Sequence, residues 1–336
     1  MTKVSETMEE KRGYATGMAV HETYGDDVVT VEKPFGKALI KAATDMPEIV
    51  GLTADLGKYT DIDVFGHAFP DRYFQIGMAE QNLFGVTAGL ARAGLIPFAT
   101  CYCSFALRRA YDFVAIAIAE AKLNAKVIVA LPGLTTGYGA THQGIEDVAL
   151  ARAIPGLVVI DACDATEIEQ AVPAIADYDG PVYMRILRGR VKRVLDPAQY
   201  QFEIGKAKLL REGGDLAFIS AGLMTDRALQ AAEELAQEGV QASVLHVSTL
   251  KPLDREAILE VAHRTGKVVT LENHTLVGGL ASAVGEVLLE DRWAGHLRKI
   301  GIPDVFLECG SVPYLTDKYG LSLRHVISAA KELAEI

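Results

Sequence analysis

Cysteine is scarce: the 336 residues contain only Cys101, Cys103, Cys163 and Cys309. A chain of this length does not need a disulfide framework, and Cys101-x-Cys103 has no second pair to complete a zinc site. The four read as small buried residues near strand ends. A cationic excess is missing too. Lys and Arg total 33 against 44 Asp and Glu, a formal net charge of −11. That balance argues against duplex nucleic acid or an anionic membrane as the main partner. No uninterrupted apolar run reaches membrane-spanning length. The first twelve residues carry Glu6, Glu9, Glu10, Lys11 and Arg12 without an apolar stretch, unlike a secretory signal. A cytoplasmic enzyme is the expectation. Asparagine occurs only as Asn82, Asn124 and Asn273.

What is present is ordinary globular material: half the residues are apolar and 23% are charged, in a length that suits about two domains. Short β-branched runs at 49–53, 96–100, 126–131, 157–160 and 181–187 alternate with helical periodicity at 79–92, 105–121, 145–153 and 166–176. In the second of these helices Leu107, Ala110, Tyr111, Val114 and Ile118 share one face. The alternation predicts a mainly parallel sheet covered on both faces. After Asp196-Pro197 the pattern repeats, with strands at 216–220, 242–247, 267–271 and 304–308 and helices at 226–237 and 280–289. The expected organisation is an arm (1–28), a first α/β domain (29–189), a linker (190–203) and a second α/β domain (204–336), both doubly wound.

Ligands sit at the carboxyl ends of strands in such sheets, and the segments there are unusual. Ile76-Gly77-Met78-Ala79-Glu80-Gln81-Asn82 puts a carboxylate at the start of an apolar helix. An acid in a first turn is commonly there for the helix dipole alone; the functional alternative is a buried Glu80 bonded to a ligand ring. Tyr102 and Phe105 have the ordinary fate of core aromatics as their alternative. Arg108 and Arg109 follow at a helix start, where cations are disfavoured, so an anion nearby is expected to compensate. Three glycines in the seven residues 133–139 allow close backbone approach, in a loop that matches neither nucleotide fingerprint. His142 within it reads equally as structural or catalytic. Arg185-Ile186-Leu187-Arg188-Gly189-Arg190 is either a solvated basic edge or an anion clamp.

Taken in order, these segments resemble the transketolase family, including 1-deoxy-D-xylulose-5-phosphate synthase and the separate C-terminal transketolase subunits of bacteria. The resemblance rests on Phe69-Pro70-Asp71-Arg72-Tyr73-Phe74 before Met78-Ala79-Glu80-Gln81, then Ser104-Phe105, Ala140-Thr141-His142-Gln143 and Arg188-Gly189. In the second domain it rests on Ser248-Thr249-Leu250-Lys251-Pro252-Leu253-Asp254 and on Glu272-Asn273-His274 with Gly278-Gly279. It covers Lys33 to the end.

The resemblance implies a thiamine-diphosphate enzyme, in which Glu80 would share a proton with the aminopyrimidine of the cofactor. Phe105 would stack on that ring, Tyr102 would line the pocket, and Asp55 would contact the cofactor. His142 and Arg108 would face the sugar. Arg188 would grip a terminal phosphate with its planar fork, with Lys33 and Lys58 near the same mouth. Two departures matter. The family's acid four residues before the histidine is Tyr138 here, in a loop one residue short, which leaves donor and acceptor open. The family's Gly-Asp-Gly followed by asparagine, which holds the diphosphate and Mg2+, has no counterpart: Gly213-Gly214-Asp215 runs into Leu216. No metal ligand is therefore assigned to this chain, and an N-terminal partner subunit is expected to bring that site, around a homodimer core in a two-plus-two heterotetramer. The implied reaction is transfer of a two-carbon ketol unit between phosphorylated sugars. The alternatives are the beta subunit of a 2-oxoacid dehydrogenase first component, a split deoxyxylulose-phosphate synthase, and a catalytically silent regulatory subunit.

Overall fold

Fully buried runs such as Ile49–Thr53 and Leu216–Ser220 form interior strands of two sheets. The structure, a computed structural model, describes residues 28–335, so the expected arm lies, up to Asp27, outside the described residues. The strands are β1 (Thr30–Glu32), β2 (Ile49–Thr53), β3 (Tyr73–Gln75), β4 (Ile96–Tyr102), β5 (Lys126–Ala130), β6 (Val158–Asp161), β7 (Val182–Ile186) and β8 (Arg190–Lys192). They continue with β9 (Lys208–Arg211), β10 (Leu216–Ser220), β11 (Ala242–His246), β12 (Thr249–Lys251), β13 (Lys267–Thr275) and β14 (His296–Ile302).

The larger sheet has the order β12-β6-β7-β5-β4-β2-β3, parallel except for β12. Its two faces are coated separately, as a doubly wound sheet requires: Ile128 of β5 points into one apolar cluster, Val127 and Val129 into the other. From β2 the chain runs out to the edge at β3, then crosses back to β4. The strand order therefore reverses between β2 and β4, where a ligand crevice is expected. Two cationic side chains, Lys126 and Arg185, are fully buried within these strands, each held by oxygen partners. Lys126 donates to the carbonyls of Tyr178 at 2.6 Å and Gly180 at 2.8 Å, and burial pushes its pKa down to about 7. Arg185 is paired with Asp161 at 2.7 Å and Asp147 at 3.2 Å.

The smaller sheet has the order β14-β13-β10-β11-β9, with β9 antiparallel. Its carboxyl ends abut the first domain. A Cβ on Gly222, which follows β10 with φ +55°, would lie 2.7 Å from the Asp161 carboxylate. One core cluster runs across the junction, from Val148 and Ala151 to Ile219, Leu250 and Leu280.

Two elements in particular depart from the sequence reading. The last strand is β14 at His296–Ile302, while residues 304–308 are irregular. The apolar Val305 and Phe306 that suggested a strand are exposed, whereas the true edge strand shows four polar-facing, exposed residues before it becomes buried. The helix expected at 105–121 starts at Cys103, breaks at Ala110 (φ −135°, ψ 26°) and continues as a π-helix over Phe113–Glu120. Segment 190–203, expected as the linker, carries β8, which pairs with β1, and Leu195, Tyr200 and Phe202 are buried along the Ala165–Asp177 helix.

Candidate active site

The crevice between β2 and β4 gathers the ends of four strands. Helix Glu80–Arg92 begins there with Glu80, which is 4% exposed. Beneath it lies Cys101, whose thiol is pushed up to a pKa beyond the usual range by burial and by the Glu80 charge. The helix that follows β4, Cys103–Asp112, places Phe105 and Arg109 on one face at a spacing of four. The Arg109 guanidinium lies 3.8 Å over the Phe105 ring and donates to Glu80 Oε1 at 2.7 Å. A buried carboxylate thus holds a flat, N–H-bearing cation against an aromatic face. Gln81 donates to the Arg109 carbonyl at 3.0 Å and ties the two helices.

Tyr102 and His142 complete the pocket, with ring centroids 5.4 and 5.3 Å from that of Phe105. Burial, and after it the Arg109 charge, holds the His142 imidazole below its ordinary pKa. It is therefore neutral near pH 7. Thr141 Oγ1 bonds its Nδ1 at 2.8 Å, and Tyr138 meets its ring edge-on at 5.4 Å. Tyr138 thus meets His142 through an aromatic contact.

Asp55 is exposed in a left-handed conformation (φ 59°) just after β2. Its N–H donates to Gln75 Oε1 at 2.7 Å, and Gly77 N–H donates to the same oxygen at 3.1 Å, so Gln75 couples Asp55 to the approach to Glu80. On the β7 side Arg188 lies 5.8 Å from the Tyr59 ring, and its Nε is buried without a hydrogen-bond partner. Lys33 is ion-paired with Asp63 at 2.8 Å. Between them sits Asp61, which accepts the Gly189 N–H at 2.7 Å. Burial raises the Asp61 pKa to about 6, against the opposing charges of Arg188 and Lys33. Lys58 is exposed on the Gly57–Tyr59 turn.

Arg108 is placed differently from expectation. It is turned under the histidine loop, bonded to the Glu146 carboxylate and to the carbonyls of Ala140 and Gln143. The adjacent arginines thus each find the anion that the helix start demands: Glu146 for Arg108, Glu80 for Arg109. Arg109 and Asp61 join the site although no motif marked them. For Arg109 the signal was the unfavourable pair of cations; for Asp61 there was none.

The residues present suit a flat heterocycle at one end: a buried acceptor, an aromatic face and room for a planar N–H group between them. Among the described residues no group of three or more His, Cys, Asp or Glu could hold a metal ion.

Comparison with known proteins bears on the family. Residues 27–193 match the transketolase pyrimidine-binding domain, and residues 205–326 match the transketolase C-terminal domain. A transketolase family protein of Sinorhizobium fredii is 53% identical over 96% of the chain and 94% of its own length. A 6-deoxy-6-sulfo-D-fructose transketolase subunit from a Clostridium species is 43% identical over 88% of the chain and 92% of its own length. Against the 1-deoxy-D-xylulose-5-phosphate synthase of Heliobacterium modesticaldum the identity is 36%, over 91% of the chain but only 47% of that enzyme. A solved structure described as a split-gene transketolase, inactive beta4 tetramer, superposes with a TM-score of 0.84 at 42% identity, covering 91% of the chain and 99% of the other.

Proposed function

The chain belongs to the transketolase family, as a separate C-terminal subunit, and from that premise we propose that it forms one half of a two-subunit transferase. The enzyme moves a two-carbon ketol unit between sugars with thiamine diphosphate and Mg2+. A partner subunit supplies the diphosphate and metal site. The observation that carries the reading is the buried Glu80 carboxylate facing a planar cation on Phe105.

When bound, thiamine diphosphate supplies a ring carbon acidic enough to lose its proton and attack a ketone. This chain's task is to make that possible. Glu80 holds a proton against the far nitrogen of the aminopyrimidine, and its dry surroundings keep that proton shared rather than lost to water. Phe105 gives the ring its stacking face and Tyr102 walls the pocket. Arg109, which lies on Phe105 and bonds Glu80, would have to give way to a ring bound there. His142, neutral and aimed at the same space, can give or take a proton at a sugar oxygen. Arg188, with a donor to spare, grips the anionic end of the sugar. Phosphate and sulfonate both offer three oxygens to a guanidinium, and the sulfosugar transketolase subunit among the relatives makes either terminus admissible.

The split-gene relative solved as an inactive tetramer of beta subunits supports the need for a partner. The test is an assay of the chain mixed with an N-terminal subunit. Glycolaldehyde transfer to an acceptor sugar is expected; pyruvate decarboxylation instead would favour the 2-oxoacid dehydrogenase reading, and neither activity would favour the regulatory one.

A further inference from the structure

The loop that carries His142 is held by the second domain. Its two ends meet where Gly133 N–H donates to the Gly144 carbonyl at 2.8 Å. Asn273, at the carboxyl end of β13 and 2% exposed, closes on the entry strand with both ends of its amide. Nδ2 donates to the Pro132 carbonyl at 3.0 Å, and Oδ1 accepts the Leu134 N–H at 2.9 Å. Arg185 Nη2 bridges the carbonyls of Gly144 and Asn273, each at 3.1 Å. The approach is too close for any side chain at Gly133, where a Cβ would lie 2.2 Å from the Asn273 carbonyl oxygen. The middle of the loop is held as well. Tyr138 forms an antiparallel bridge with Cys309, and Gly310 N–H donates to the Gly137 carbonyl at 3.1 Å.

We infer that Asn273 is a positioning residue for His142, so that the second domain sets the geometry of a site it does not line. The physical argument is one of over-determination. A glycine-rich loop has many conformations and costs entropy to fix; here buried amide bonds from a neighbouring sheet do the fixing. An amide that serves one donor and one acceptor at a 2% exposed position is specific to asparagine in both shape and polarity. Placement of His142 in a catalytic pocket rests on the function proposed above, but the clamp itself does not.

The test uses Asn273→Asp, which keeps the shape and the acceptor but loses the donor to Pro132, alongside Asn273→Ala. The first readout is the titration of His142 in the full chain by NMR of ring-labelled histidine, assigned with His142→Gln. The groups facing His142 are Arg109 and Phe105 from the helix after β4, Tyr102 from β4, and Tyr138 and Thr141 from its own loop. Loosening the loop should move the imidazole away from Arg109 and into water, raising its pKa toward the ordinary value. The second readout is turnover of the assembled complex. It should fall about ten- to hundredfold, as expected for a misplaced catalytic group, while the dissociation constant for thiamine diphosphate changes less than about twofold. An unshifted His142 titration, or turnover and cofactor affinity falling together with the unfolding midpoint, overturns the inference. If the wild-type complex neither binds the cofactor nor turns over, the proposed function fails while the titration still decides the clamp.

Discussion

Glu80 is an ordinary residue in an ordinary place until its surroundings are considered. An acid at a helix start gains from the dipole whether or not it is functional. What sets Glu80 apart is burial with a single planar cation that also covers Phe105. Glu80→Gln should leave the fold intact and cost several powers of ten in turnover of the complex, the loss expected when a group essential to forming the nucleophile is removed; near-normal turnover would remove Glu80 from the mechanism. Arg109→Ala should strengthen binding of the free aminopyrimidine fragment of thiamine to the chain, because the competing guanidinium is gone. Weaker binding, seen by ligand-observed NMR, would mean that Arg109 supports the ring instead of standing in for it. Arg188→Ala should raise KM for sugars with an anionic terminus but not for hydroxypyruvate. Loss of a charge-assisted fork costs on the order of 2 kcal/mol, a factor of about thirty. An equal rise for both substrates would show that Arg188 does not hold the terminus.

At the scale of elements, strands buried on both faces were the legible part. β2 and β10 fall at the expected residues because their apolar runs are short and bounded. β14 was misplaced because an edge strand exposes polar residues and loses the apolar signal, and β12 was missed because three residues, Thr-Leu-Lys, carry no period. Of the residues expected at the site from motifs, Glu80, Tyr102, Phe105 and His142 are brought together by the fold. The turn of Arg108 toward Glu146 and the clamp of Asn273, 139 residues from Leu134, depend on packing that no local pattern encodes. The same packing makes a testable junction between the Ala165–Asp177 helix and β11. Glu167 and His246, both fully buried, pair at 3.0 Å. Despite its burial, the pairing holds the Glu167 carboxyl below the usual 4.5 and the His246 imidazole above 6.5. The histidine contribution is complete below pH 6.5 and is lost as pH rises through its raised value; the glutamate contribution is complete above 4.5 and is lost as pH falls through its lowered value. Unfolding free energy should therefore decline on both sides of that window. In His246→Gln the alkaline decline should vanish in denaturant titrations, and its persistence would place the cause elsewhere.

At the scale of the whole molecule, the chain is a pair of doubly wound domains joined by a shared apolar cluster, with Glu80, Phe105 and His142 gathered at one crevice of the first. Among the described residues no helix is long and apolar enough to cross a membrane. Most of the affinity for thiamine diphosphate should come from the diphosphate and Mg2+, since a hard cation needs several oxygen ligands in fixed geometry. On the function proposed above, activity would belong to an assembly, with the pyrimidine end of the cofactor held by this chain and the diphosphate end by the partner. The most direct measurement is calorimetric titration of thiamine diphosphate with Mg2+ onto the purified chain and then onto its mixture with an N-terminal subunit. Weak binding and no turnover by the chain alone, with tight binding and ketol transfer by the mixture, is the predicted result. Tight, Mg2+-dependent binding and turnover by the chain alone would contradict the division of the active site between two subunits.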